Sequence, residues 1–107
     1  METTIQSIQD LKTALSKRNT ILSVNDQHLS RICWFISKIQ YDGYPLCVFK
    51  SVTEDHKIHA ALSKDYVVEV NKAFADDVLH LNDYLEEHSI EMEIINEAPV
   101  VVSVLYN

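Results

Sequence analysis

Histidines, thiols and carboxylates are the side chains through which this 107-residue chain could do chemistry, and their spacing limits what that chemistry would be. His56 and His59 stand in the stretch EDHKIH beside Glu54 and Asp55, a donor set of the kind that ligates zinc or another divalent cation. Two histidines do not complete a site, and further ligands would have to be brought by folding from His80, His88 or a carboxylate. On a helix the two rings share a face; on a strand they point apart. The pattern predicts surface histidines and no metal, with His28, His80 and His88 read the same way.

Thiol and carboxylate chemistry is equally thin. Cys33 and Cys47 lie inside the apolar runs ICWFI and PLCVF, where a thiol packs as a small hydrophobe and is not lowered toward a thiolate. Neither a disulfide framework nor a cysteine nucleophile is predicted. General acid–base catalysis needs two carboxylates in a cleft with one of them desolvated, whereas the acids here fall on the predicted wet faces of their elements. Gly43 is the single glycine, so there is no glycine-rich phosphate loop. The expectation is a protein that is not an enzyme and uses no cofactor.

Charge is distributed unevenly. Residues 1–52 hold six Lys or Arg against four Asp or Glu, a net +2, and residues 53–107 hold three against twelve, a net −9, which together give −7. An acidic half of this kind repels nucleic-acid phosphates and attracts basic surfaces. A basic protein is therefore the expected partner, with no direct nucleic-acid contact. No apolar run approaches about 18 residues, and METTIQSIQDLKTAL carries acids, which predicts neither a membrane span nor a secretory leader and points to a cytoplasmic protein. The length and the 47% hydrophobic content predict one domain over residues 1–107.

The elements that must position these groups follow from periodicity. Ile5, Ile8, Leu11 and Leu15 define a first amphipathic helix, with Thr3 or Thr4 as its cap and KRN as its exit, where Asn19 tolerates left-handed backbone. A second helix begins near Ser23 to Asp26 and carries Leu29, Ile32, Cys33, Phe35, Ile36 and Ile39, with Trp34 beside them. Asp42 and Gly43 signal a turn before a short strand, Leu46 to Phe49, entered through Pro45. From Ile58 to Val70 the alternation favours two strands joined near Ser63 to Asp65, although Thr53, Glu54 and Asp55 also have the character of a capped helical turn.

From Lys72 the helical period returns, with Phe74, Val78, Leu81 and Leu85 as one seam, and it stops near His88 and Ser89. Two strands, IEMEII and VVVSVLY, follow around Asn96 to Pro99. The first turns Glu91 and Glu93 to solvent; the last is apolar on both faces and should be central or covered. The sum is an α+β fold with about three helices packed on one face of a mainly antiparallel sheet of four to five strands.

In order and rough spacing, SIQDLKTAL, HLSRICWFISKI, YPLCVF and DDVLHLNDYLEEHSIEMEII resemble the barstar-like ribonuclease inhibitors. That resemblance covers roughly half the chain and implies a small acidic cytosolic inhibitor. It also departs from the family pattern, because the second helix here has Asp26 as its only acid, with Arg31 and Lys38 nearby. The acids have moved to the region Asp76 to Glu93, and the resemblance assigns no individual binding residue.

The functional expectation is a small acidic protein that occludes the active surface of a basic one, as an immunity protein or antitoxin does to a nuclease toxin. Its candidate contacts are Asp76, Asp77, Asp83, Glu86, Glu87, Glu91 and Glu93, with Trp34 and Tyr44 as aromatic anchors. Trp34, Phe35, Tyr41 and Tyr44 serve equally well as core packing. The same physics suits a virus-encoded nucleic-acid mimic that inhibits a host defence complex such as a CRISPR effector. An assembly subunit whose two oppositely charged halves meet, or a merely solvated helix face, would have the same composition.

Overall fold

The computed structural model describes the backbone of residues 2–41, 48–52, 57–61 and 67–107, and the side chains of residues 2–37 and 69–107. The expected turn at Asp42 and Gly43, together with Tyr44, Pro45, Cys47, His56 and the junction Ser63 to Asp65, lies outside these residues. In chain order the elements are β1 (Thr3–Ile5), α1 (Ile8–Ser16), β2 (Ile21–Val24), α2 (Gln27–Tyr41), β3 (Val48–Val52), β4 (Lys57–Ala61), β5 (Val67–Asn71), α3 (Lys72–Glu87), β6 (Ile90–Glu97) and β7 (Val100–Tyr106).

β1 and β2 pair in parallel, Thr3 opposite Leu22 and Ile5 opposite Val24, and a parallel pair needs a crossover, which α1 supplies. This corrects the expectation that Ile5 starts the first helix under a Thr3 or Thr4 cap. The cap is Ser7, whose Oγ accepts the Asp10 N–H at 3.1 Å, while the Asp10 carboxylate accepts the Gln6 N–H at 3.1 Å. Strands of three and four residues are too short to show a period, so Ile5 is legible as core but not as strand.

At the exit of α1 the left-handed residue is Arg18, with φ of 59°, and not Asn19. The Arg18 guanidinium lies 4.5 Å from the centre of the Tyr106 ring, a contact that helps hold this backbone. Asn19 instead ties three segments together: its Nδ2 donates to Thr3 Oγ1 and its carbonyl accepts from the Tyr106 hydroxyl.

β2 pairs antiparallel with β7, and β7 with β6, giving the mixed four-stranded order β1-β2-β7-β6. β7 is therefore central, as a strand apolar on both faces requires. Directly paired residues share a face of the sheet, and the register puts Ile5, Leu22, Val24, Met92, Val102 and Val104 on one side, all buried. The three helices cover that side, contributing Leu11 and Leu15 from α1, Leu29, Ile32 and Ile36 from α2, and the α3 seam Phe74, Val78, Leu81 and Leu85. Thr4, Ile21, Ser23, Val101, Ser103, Leu105, Glu91 and Glu93 alternate to the other side, and none of them is buried.

β3, β4 and β5 form a separate antiparallel sheet, with Val48 opposite Ala61 and Ile58 opposite Val70. Residues 57–61 are thus strand, and His59 takes a ladder position opposite Lys50 and Glu69. Alternation of β-branched residues identifies a strand but not its neighbour, which is why one sheet is expected from the sequence where two occur. β5 runs directly into α3 through Asn71, whose Oδ1 accepts the Phe74 N–H at 2.8 Å. At the start of α2 the cap is Asp26, its carboxylate accepting the Leu29 N–H at 2.8 Å.

Candidate functional site: the acidic surfaces

The seam of α3 fixes where its carboxylates go. With Phe74, Val78, Leu81 and Leu85 turned to the core, Asp76, His80, Asp83 and Glu87 fall within about 60° of arc at 3.6 residues per turn, opposite the seam. They form a solvent ridge about 16 Å long at 1.5 Å per residue. No Lys or Arg occurs between Asp76 and Glu87, and the last turn of the helix has no basic residue.

The acids of α3 are not equivalent. Asp77 leaves the ridge toward α2, where its Oδ2 meets His28 Nε2 at 2.9 Å. Asp76 accepts from Lys72 Nζ at 2.9 Å, one turn earlier. Glu86 lies on the other flank and accepts from Asn82 Nδ2 at 3.2 Å. Asp83 and Glu87 have neither a hydrogen bond nor an ion pair among the described residues.

Position along the helix adds to the difference. The C-terminal end of a helix carries partial negative charge, so a carboxylate there costs about 0.3–1 kcal/mol where a lysine would stabilise. Asp83, Glu86 and Glu87 all stand in the last turn and a half. Stability alone would not select these three side chains. The chain-wide charge count reveals the acidity of the segment, and the stop at His88 and Ser89 is the further sequence signal that sets these acids at the negative helix end.

Glu91 and Glu93 belong to a different surface. The register pairs Glu91 with Leu105 and Glu93 with Ser103, on the side of the sheet away from the helices. The seven carboxylates expected to act together are therefore divided between a helix ridge and an open sheet face. Glu86 and Glu91 come closest to joining them: with Ser89, Ile90 and Asn107 they line a cleft of about 330 Å³ where α3 turns into β6. Ser89 makes that turn with φ of 56°.

Trp34 is half-buried on α2 and meets Phe35 edge-on, with ring centres 5.2 Å apart. Phe35 continues to Phe74 at 5.2 Å, and the Arg31 guanidinium lies 4.7 Å from the centre of the Phe74 ring. Trp34 thus belongs to an aromatic chain that reaches α3 through Phe35 and Phe74. On its outer side it lines a cleft of about 440 Å³ with Ser37, Ile94, Ile95, Asn96 and Glu97. None of the α3 acids lines that cleft, so Trp34 is not brought to the ridge. Tyr44, the other expected anchor, lies outside the described residues.

The remaining candidates are one buried thiol and exposed histidines held by local contacts. Cys33 is buried in the core, and desolvation pushes its thiol up to about 12, which keeps it protonated. His28 faces Asp77, and the His88 ring stacks on Tyr84 at 4.3 Å while its Nδ1 bonds the Tyr84 carbonyl. Among the described residues no group of three or more His, Cys, Asp or Glu could hold a metal ion, and no helix is long and apolar enough to cross a membrane. No family model matches the chain, and neither a curated protein nor a solved structure matches it.

Proposed function

We propose that this chain is a small acidic cytoplasmic protein that neutralises a basic protein by occluding its active surface, as an immunity protein or antitoxin does to a nuclease toxin. One observation carries the reading. Asp83 and Glu87 stand exposed and unpaired among the described residues, with Glu86 beside them, at a helix end where negative charge is unfavourable. Carboxylates kept at a cost in stability are explained by a ligand that repays it. Lysines and arginines that normally hold phosphate would do so, and the −9 half of the chain would steer their approach. The resemblance of four sequence stretches, over roughly half the chain, to barstar-like inhibitors is in keeping with the same class of activity, although the strands Ile58 to Val70 and Val100 to Tyr106 have no clear counterpart there. Here the ridge of α3 takes the place of an acidic second helix.

Affinity capture from the source cell, at low and at high salt, tests this. The expected result is a basic protein held at low salt and released at high salt, and lost when Asp83 and Glu87 are both changed to Lys. Capture of no basic protein, or capture indifferent to that double reversal, refutes the reading.

A further inference from the structure

The four-stranded sheet has one face under the helices, and on its other, open face none of the described residues is buried. Along the open face run Leu105 and Val101 of β7 and Ile21 of β2, with Leu105 55% exposed. Glu91 and Glu93 of β6 are the direct cross-strand neighbours of Leu105 and Ser103, so a row of carboxylates borders the apolar stripe on one side. The other side is Ser23 and Thr4. Among the described residues no Lys or Arg occupies a position of this face.

We propose that this open face is a second docking surface, which takes a basic amphipathic helix of a partner protein lying along β7. An open face, unlike a strand edge, offers no backbone ladder, so its occupant must bring a side-chain surface of its own. The stripe spans β7 and β2, about 4.8 Å apart, a width that one helix of about 10 Å diameter covers. Lys or Arg on the flank of that helix then reaches Glu91 and Glu93, one strand over.

Charge argues against a second copy of this chain as the occupant. A two-fold interface sets the same patch against itself, and the carboxylates of both copies would be desolvated with no Lys or Arg among the described residues of either face to pair them. The partner must carry the positive charge. This surface is separate from the α3 ridge and does not depend on the function proposed for it.

The test uses the whole chain, labelled with 15N, and two synthetic peptides of about 18 residues, a Leu/Lys amphipathic helix and its Leu/Glu counterpart. Amide shifts at Ile21, Glu91, Glu93, Val101 and Leu105 are expected with the Leu/Lys peptide and not with the Leu/Glu peptide. Changing Glu91 and Glu93 together to Lys, or Leu105 to Ser, should each weaken binding by roughly tenfold or more, while Asp83→Lys with Glu87→Lys leaves it within about twofold. Thermal melting of each variant verifies the fold. Shifts confined to α3, equal binding of both peptides, undiminished binding by folded face variants, or no binding at millimolar peptide overturns the proposal. Because the ridge and face variants are distinct, failure here leaves the function proposed for α3 standing, and the reverse holds too.

Discussion

His28 on α2 and Asp77 on α3 meet at 2.9 Å through Nε2 and Oδ2, and the contact places, in the joint between two helices, a carboxylate that the helix period already turns off the acidic ridge. The His28 ring also packs edge-on to Phe74, with centres 5.6 Å apart, so the pair sits over the aromatic chain joining α2 to α3. The side chains of His28 and Asp77 are 52% and 40% exposed. Replacing Asp77 by Asn is therefore expected to cost no more than about 1 kcal/mol, read as a small fall in melting temperature. A much larger loss would mean that the pair acts as a buried lock.

The acids of α3 should rank by how committed they already are. Charge reversal at Asp83 or Glu87 is expected to slow association with a basic partner more than reversal at Asp76 or Asp77, whose carboxylates meet Lys72 and His28. Stopped-flow association rates at several salt concentrations measure this, with the differences shrinking as salt screens the ridge. Equal effects at all four positions would show that only net charge matters.

Asn82 is 9% exposed, and its Oδ1 has no hydrogen-bond partner among the described residues. A buried carbonyl left unpaired costs about 1–3 kcal/mol, so Asn82→Leu, which keeps the number and branching of the side-chain heavy atoms, should be neutral or stabilising by about 1 kcal/mol. The same substitution removes the hydrogen bond from Asn82 Nδ2 to Glu86, which is solvated at the carboxylate end and contributes little. Urea denaturation gives the answer, and a fall of several kcal/mol would reveal that Asn82 holds an ordered water.

Asn71→Ala removes the acceptor for the Phe74 N–H at the start of α3 without touching the core, since Asn71 itself is exposed. The expected loss is about 1 kcal/mol, with Asn71→Asp near neutral because aspartate caps as well. Chemical denaturation of the two variants separates capping from any general effect of substitution at the β5–α3 junction.

Burial raises the Cys33 thiol to about 12 from an ordinary value of 9.0. The folded state thus favours the protonated form, a contribution fully present below pH 9 and lost as pH rises from 9 through 12. At pH 8 alkylation at Cys33, followed by peptide mass mapping, should proceed only at the rate of global opening and accelerate sharply in denaturant. Fast labelling of the native chain would place Cys33 at a mobile surface.

Much of this molecule is legible from residue order alone. The steps of four, three and four between Phe74, Val78, Leu81 and Leu85 dictate both the helix and its buried side, since no other conformation gathers these residues on one face. In the same way the alternation from Ile90 to Ile94 dictates a strand with Glu91 and Glu93 turned away from the core. Periodicity needs length, however, and β1 and β2 have too few residues to display it. Ile5 reads as core either way, and only pairing with Val24 decides that it is strand.

The grouping of the carboxylates was never local information. Sequence places Glu87 and Glu91 four residues apart in one acidic run, but the turn at Ser89 sends the chain from the helix layer into the sheet. Acids on α3 then take their direction from the helix period, and acids on β6 from the strand period and its register with β7. One acidic segment becomes two surfaces because a helix and a strand, packed in different layers, rotate their side chains by different amounts per residue.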